Sequence, residues 1–379
     1  MSSNQPKVPF VNLSLQHQPI ASQISETIAK IIDRGDFILG RSLAEFETAF
    51  AAASGVKYGV GVACGTDAIA LGLQACGINP GDEIIIPANT FVATIIGVIQ
   101  AKAIPILVDC NPDTALIDLT AAAAAITSKT KAIIPVHLYG QMVSPGELLE
   151  FAQCRDLIIF EDAAQAHLAA REGYRAGSFG KASAFSFYPS KNLGAFGDGG
   201  MLITNDRNLA EKVRTLRNYG APSKYLHAEI GTNSRLDNLQ AAVLNVKLPY
   251  LETWNRDRNL AAQHYDNLLQ PLKSKGIVPI ANRSGSGHIY HLYVIRITEE
   301  SSIDRNTLQQ QLAREGIQTG IHYPVPCHLQ PAYQNLGNPG DFPRAETLCR
   351  QILSLPMYPG LSNTQIELVV RTIERSLNC

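Results

Sequence analysis

The sequence predicts an α/β fold in which a mostly parallel sheet lies between helices and a smaller α+β unit follows. Three observations predict it. Short strands alternate with helices through the first half of the chain, the order that a parallel sheet with crossover helices requires. Several of those strands are continuous apolar runs, as in Glu83-Ile84-Ile85-Ile86, which suits a sheet covered on both faces. Beyond Phe160 the alternation changes, and from about Asn255 a long helix, one strand and two further helices take over. The chain thus divides into a large unit of residues 9–254 and a smaller C-terminal unit of residues 255–379.

Taken in order, residues 57–63 read as a strand and 66–76 as a helix, because apolar residues recur there at helical spacing. The strand at 83–86 is closed by Pro87. Helix 91–101, strand 104–108, helix 119–126, strand 132–136, helix 145–154 and strand 157–161 continue the alternation. Residues 182–187 and 200–204 are strands on either side of a glycine-rich turn, and 206–219 and 237–254 are helical. A long helix follows at 255–272, then a strand at 290–297 and helices at 305–315 and 364–377. Gly285 and Gly287, set among serines, mark a surface loop.

Composition narrows the function. The 379 residues carry 32 basic and 33 acidic side chains, a formal charge of −1, which argues against a nucleic-acid footprint. No apolar stretch is long enough to span a membrane, and the polar first nine residues lack the apolar segment of a signal peptide. The seven cysteines (64, 76, 110, 154, 327, 349 and 379) are odd in number and form no CxxC pair. They read as reduced, mostly buried thiols of a cytoplasmic protein, with no zinc or disulfide framework and no metal site. Charged residues are only 17% of the chain, which suits a surface partly buried between subunits.

Three motifs carry chemistry. Cys64-Gly65-Thr66-Asp67-Ala68 joins a strand to a helix. The unpaired N–H groups there can hold a phosphate, or Thr66 or Asp67 can simply cap the helix. Phe160-Glu161-Asp162-Ala163-Ala164-Gln165 ends an apolar strand on an acidic pair, at the strand ends where open α/β sheets bind ligands. Asp162 there can anchor a cation, or be a solvated strand end or a helix cap. His167, close behind, reads as a satisfied structural residue. The third motif runs from Ser186 to Gly200, with Lys191 followed by four glycines within seven residues. A lysine in a partly buried pocket can lose its proton and attack carbonyls; in an exposed loop it does nothing of the kind. The order of the motifs matters: a phosphate cap, a strand-end aspartate, then a lysine 29 residues later. Pyridoxal phosphate needs those three partners for its phosphate, its pyridinium nitrogen and its aldehyde.

On these motifs the chain closely resembles the DegT/DnrJ/EryC1/StrS family of nucleotide-sugar aminotransferases, from about Pro9 to the last helix. The resemblance implies the fold of aspartate aminotransferase (fold type I), a homodimer with shared active sites, and pyridoxal phosphate as cofactor. It implies that Lys191 forms the Schiff base, Asp162 pairs with the pyridine nitrogen and Gln165 contacts the ring-oxygen region. Gly65, Thr66 and Ser186 would hold the phosphate, and Phe91 would stack on the ring or else belong to the core. The segment from Gly231 to Ala242 matches the family's Asn-x-Arg…Gln-Ala-Ala pattern. There Asn233 would reach the neighbouring subunit's phosphate or cap the following helix.

The loop at 187–200, the segment 233–237 and the segment from His322-Tyr323-Pro324 to Tyr333 look most like members acting at C-3 of a nucleotide-linked ketosugar. Tyr188, Arg235, His322 and Tyr323 are the candidate substrate contacts, although Pro324, Pro326 and Pro331 equally suit a rigid loop. By the same resemblance the amino donor is L-glutamate, the acceptor a dTDP-3-keto-6-deoxyhexose, and the kinetics ping-pong. The alternatives are C-4 amination, a UDP-linked 3-keto-acetamido sugar, a sugar dehydratase of the same fold, and a non-catalytic regulator. Lys191 argues against the dehydratase, whose relatives carry histidine there.

Overall fold

The structure, a computed structural model, describes residues 7–378. Expectations for residues 1–6 and Cys379 lie outside the described residues. In chain order the strands are β1 (Tyr58–Val62), β2 (Glu83–Pro87), β3 (Ile104–Val108), β4 (Thr130–Ile133), β5 (Ile158–Asp162), a ribbon of β6 (Ala170–Arg171) and β7 (Tyr174–Arg175), β8 (Ala182–Ser186) and β9 (Gly200–Thr204). Then come β10 (Ile277–Pro279), β11 (Tyr293–Ile297) and β12 (Ile352–Leu355).

The central sheet has seven strands in the order β1-β9-β8-β5-β4-β2-β3. Its neighbours are parallel except β9, which is antiparallel to both β1 and β8. No helix links β8 to β9, so β9 returns beside its predecessor rather than crossing over. β1, β5 and β8 therefore end at one edge of the sheet, where β9 begins. Val62 and Ser186 both lie opposite Gly200, and Asp162 lies opposite Ala184.

Burial follows the apolar runs. Ile84, Ile85 and Ile86 are fully buried, as a strand covered on both faces requires. Each contributes about 1.5–3 kcal/mol by leaving water. The helix Gly65–Ala75 packs on β8 and β9 and against the helix Val92–Gln100.

A second core gathers Tyr265, Ile295, Leu312 and Ile373 around the antiparallel sheet β10-β11-β12. Its last helix, Asn363–Leu377, opens on a capping box between Ser362 and Gln365. Val8, at the start of the described chain, belongs to this second core and bridges to Ile317. Leu292, Val294 and Ile352 instead join the core of the large sheet, so the two layers share an apolar seam.

Strands 104–108 and 200–204 lie where expected. The strand expected at 132–136 stops at Ile133, because Pro135 has no N–H for the ladder; only Val136 bridges back, to Asp162. The helices expected at 237–254 and 255–272 divide differently. Pro249 sits in a 3-10 turn, Leu248–Tyr250, between the helices Asn238–Lys247 and Leu251–Leu269. The second helix therefore runs straight through position 254/255. The strand expected from 290 begins at Tyr293, after Tyr290 adopts φ 43°.

The helices Ala21–Arg34, Arg41–Ala53 and Pro343–Gln351 and the strands β10 and β12 are additional. The six described cysteines are free, with Cys110, Cys327 and Cys349 buried and Cys154 exposed. No described helix is long and apolar enough to cross a membrane. No group of three or more metal-ligating side chains is present among the described residues.

Candidate active site

Where β5 and β8 end, a cleft of about 330 Å³ opens, lined by Gly65, Thr66, Asp162, Ser186, Lys191 and Tyr323 among others. A larger groove of about 780 Å³ near Lys7 and Gln318 gathers no comparable set.

One wall is the N-terminus of the helix Gly65–Ala75. Its cap is Cys64, whose Sγ accepts from the Asp67 amide at 3.5 Å; neither Thr66 nor Asp67 is the cap. Asp67 is drawn away because its carboxylate accepts from the Ser234 hydroxyl at 2.6 Å. The Ala68 amide is spent on the Cys64 carbonyl. That leaves the first amides, of Gly65 and Thr66, beside the cleft, where a helix terminus favours an anion. A Cβ at Gly65 would come 2.9 Å from the Ser186 Cβ, so this approach needs glycine.

The floor is Asp162. It is 5% exposed, which removes the reading as a solvated strand end. Its Oδ2 accepts from the Thr94 hydroxyl at 2.8 Å and its Oδ1 from the Ala164 amide at 3.1 Å. Burial pushes its carboxyl up from the usual range, while those hydrogen bonds and the charges of Lys191 and His137 pull it down. Beneath it Glu161 is fully buried and accepts from the Gly177, Phe179 and Gly180 amides and from His137 Nε2 at 3.0 Å.

Lys191 faces Asp162 from the loop after β8. Burial pushes its amine down to about 8, against the pull of Asp162. The exposed-loop reading fails for a further reason: the loop is tied down. Asn192 donates to Asn255 Oδ1 at 2.8 Å and to the Ile289 carbonyl at 3.0 Å, and the buried Lys247 ammonium donates to the Gly194 carbonyl. His167, fully buried and pushed down to about 3 by burial, lies 2.9 Å from the Ser186 carbonyl and holds the strand end in place.

The remaining wall links both units. Gln165 accepts the Tyr139 amide at 2.7 Å and donates to the Tyr323 hydroxyl at 3.1 Å. Tyr139 in turn donates to the His322 carbonyl at 2.7 Å. Phe91 is 51% exposed and faces Tyr323 at 5.2 Å between rings, so it is not a core residue. It is the N-cap of the helix Val92–Gln100. Tyr188 and His322 also line the cleft. Past Tyr323 the proline-rich segment turns away, with His328 buried against Glu346 at 3.1 Å.

Asn233 and Arg235 stay out of this cleft. Asn233 is exposed and bridges to Asn218, while Arg235 donates to Asn218 Oδ1 at 3.1 Å and lies over the Tyr219 ring. Asn233 does not cap the following helix either: that helix begins only at Asn238, with Asp237 at the cap position four residues beyond Asn233. Thr94, Tyr139, Asn192 and His291 are cleft or supporting residues that the sequence reading missed; each takes its role from partners far away in the chain.

The donor set fits pyridoxal phosphate. The Gly65 and Thr66 amides at the helix terminus and the Thr66 and Ser186 hydroxyls suit the phosphate, a buried carboxylate suits a protonated ring nitrogen, and a low-pKa amine suits the aldehyde.

The chain matches the model of the DegT/DnrJ/EryC1/StrS aminotransferase family over residues 18–374. It is 43% identical over 367 residues to the pleiotropic regulatory protein of Geobacillus stearothermophilus, covering 97% of each chain. It is 42% identical over 369 residues to the dTDP-3-amino-3,4,6-trideoxy-alpha-D-glucose transaminase of Streptomyces venezuelae, covering 97% of this chain and 96% of that one. The crystal structure of S. venezuelae DesV in complex with a ketimine intermediate matches with a TM-score of 0.94 at 42% identity, over 98% of this chain and 99% of that one.

Proposed function

The chain belongs to the DegT/DnrJ/EryC1/StrS aminotransferase family and is a pyridoxal-phosphate-dependent transaminase; from that premise we propose that it carries an amino group from L-glutamate to C-3 of a dTDP-linked 3-keto-6-deoxyhexose. The observation that carries the reading is the convergence of Asp162, Lys191 and the Gly65–Thr66 amides on one cleft. A protein acting only as a regulator, as one relative is named, has no chemical need for a buried carboxylate facing a lysine of lowered pKa.

When bound, the cofactor supplies an electron sink for the carbanion formed at the donor's α carbon. Every other task falls to side chains. Asp162 holds the proton at the ring nitrogen. Lys191 would hold the aldehyde, and its Nζ would carry the proton that leaves the donor's α carbon. The Gly65 and Thr66 amides, with the Thr66 and Ser186 hydroxyls, hold the phosphate. Gln165 orients Tyr323, and Phe91 covers one ring face. Tyr188, His322 and Tyr323 meet the sugar nucleotide.

Two units, residues 9–254 and 255–379, share this cleft. A cytoplasmic homodimer completes it, with Asn233 and Arg235 serving the partner's cleft. Their place outside their own cleft supports this, as does the exposed Phe37-Ile38-Leu39 beside the same segment, where the Asn238 amide donates to the Phe37 carbonyl.

Turnover of dTDP- and UDP-linked 3-keto and 4-keto sugars with glutamate tests the substrate. Preference for a UDP or a 4-keto substrate overturns the C-3 dTDP assignment, and no turnover of any sugar overturns transamination of sugars. Lys191→Ala should be folded and inactive. Mixed with an impaired Asn233→Ala, it should regain activity above the sum of the parents, because one site in each heterodimer escapes both lesions. Heterodimers without that gain would mean each site is built from one chain.

A further inference from the structure

The Asp162 carboxylate is held by a chain of two buried hydroxyls. Thr94 Oγ1 lies 2.8 Å from Asp162 Oδ2, and Thr90 Oγ1 lies 2.8 Å from Thr94 Oγ1. Thr90 is 4% and Thr94 1% exposed. An ionised carboxylate has no proton to give, so the Thr94 hydrogen goes to Asp162. Thr94 then has only lone pairs left for Thr90, and the chain runs Thr90 to Thr94 to Asp162.

Thr94 lies in the first turn of the helix Val92–Gln100, so the position four residues earlier, Thr90, precedes the N-cap Phe91. The Thr90 carbonyl accepts from the Cys327 thiol at 3.1 Å, and the Thr94 hydroxyl turns to Asp162. The same turn carries Phe91, the N-cap of the helix in which Thr94 sits.

We propose that Thr94, oriented by Thr90, is a positioning residue for the cofactor's ring nitrogen: it fixes Asp162 Oδ2 and keeps the carboxylate ionised, so that the nitrogen stays protonated. This rests on the reading of Asp162 as the partner of that nitrogen. The other groups facing Asp162 are Lys191 from the loop after β8, His137 from the loop after β4 and Tyr323 from the C-terminal unit. None of them shares the Thr94 oxygen contact. A hydrogen bond to the charged form lowers a carboxyl pKa, and its loss raises it. Asp162 would then stabilise the ring-nitrogen proton less, and that proton would leave at lower pH.

The test uses holoenzyme loaded with cofactor isotopically labelled at the ring nitrogen, read by NMR across pH, beside steady-state rates. Thr94→Val should move deprotonation of the nitrogen down by about one pH unit and lower kcat/KM about tenfold. Thr94→Ser should return both to within about twofold of the wild type. Cofactor affinity should stay within about threefold in both, because the phosphate contacts are elsewhere. Thr90→Val, which frees the Thr94 hydroxyl to turn, should give a smaller shift in the same direction and carries the test if Thr94→Val does not fold. A Thr94→Val enzyme with an unchanged nitrogen signal overturns the proposal, as does a Thr94→Ser enzyme no better than Thr94→Val. Asp162→Asn separates the two levels. If it leaves the nitrogen signal unchanged, the assignment of Asp162 itself fails; if it abolishes the protonated signal while Thr94→Val does nothing, only the role of Thr94 fails.

Discussion

Gly200→Ala should weaken cofactor binding without touching any residue that contacts the cofactor through its side chain. Gly200 opens β9 and lies opposite both Val62 and Ser186. A Cβ there would overlap the Cys64 carbonyl group and lie 2.7 Å from the Gly65 amide nitrogen. These are backbone atoms and cannot rotate aside. Ordinary contact begins at 3.4 Å, and the Cys64 carbonyl is the nearest obstacle, so strand and helix terminus must part by about 1.1 Å. An N–H···O bond of about 2.9 Å stretched by that much falls outside the useful range. Losing one hydrogen bond to a charged group costs about 1.5–3 kcal/mol, or roughly 10- to 150-fold in affinity.

The assay is titration of apoprotein with pyridoxal phosphate, followed by absorbance, with thermal unfolding measured in parallel. Gly77→Ala is the matched control. It has open space around it but φ of +87°, so it should cost about 1 kcal/mol of stability and leave affinity alone. An affinity within threefold of wild type in a folded Gly200→Ala protein would refute the claim that the Gly65 terminus holds the phosphate.

Two further outcomes are expected. Only the neutral Lys191 amine attacks an aldehyde, so the rate at which apoprotein captures the cofactor, trapped with borohydride, should rise with pH and level off above a midpoint near 8; a midpoint near the ordinary lysine value of 10.5 would contradict the burial argument. Glu161→Gln would set an amide NH₂ against two of the four donors that Glu161 now accepts, for a loss of about 2–5 kcal/mol and, in a chain of 379 residues, a Tm lower by roughly 2.5–6 °C; a Tm within about 1 °C of wild type, roughly the effect of under 1 kcal/mol, would show that the buried carboxylate is not what organises the approach to β8.

The elements read correctly from sequence are those whose own residues decide them. Ile84, Ile85 and Ile86 can only be a buried strand between turn residues, and Asp162 and Lys191, singled out by their order along the chain, line one cleft. Most of what was missed depends on partners. The helix Ala21–Arg34 starts without a capping side chain, yet Ile24, Ile28 and Ile31 recur at helical spacing and Gly35 closes it in the left-handed region, so it was legible in the sequence and was passed over. β12 follows the helix Pro343–Gln351 directly, with no turn residue between them to punctuate the change. In the cleft, Thr94 looks like any helical threonine until the end of β5 brings Asp162 within 2.8 Å of its hydroxyl. The bland readings of Phe91 and Asn233 failed for the same reason: exposure and capping are set by where neighbouring segments land, and no local spacing encodes that.

Val8 has a consequence for how the chain is made. Its partners are Gly316 and Gln318, and the neighbouring Phe10 amide donates to a side chain 308 residues away. The first described residues therefore leave the ribosome long before anything exists for them to pair with. At translation rates of about 5–20 residues per second, that wait is roughly 15–60 s. During it the nascent large sheet can close on its own strands, while this segment waits until residues 316–318, in the last fifth of the sequence, emerge. Completion of the C-terminal layer is thus sealed by a segment made some 300 residues earlier, and removing the chain through Phe10 should loosen the C-terminal layer rather than the large sheet.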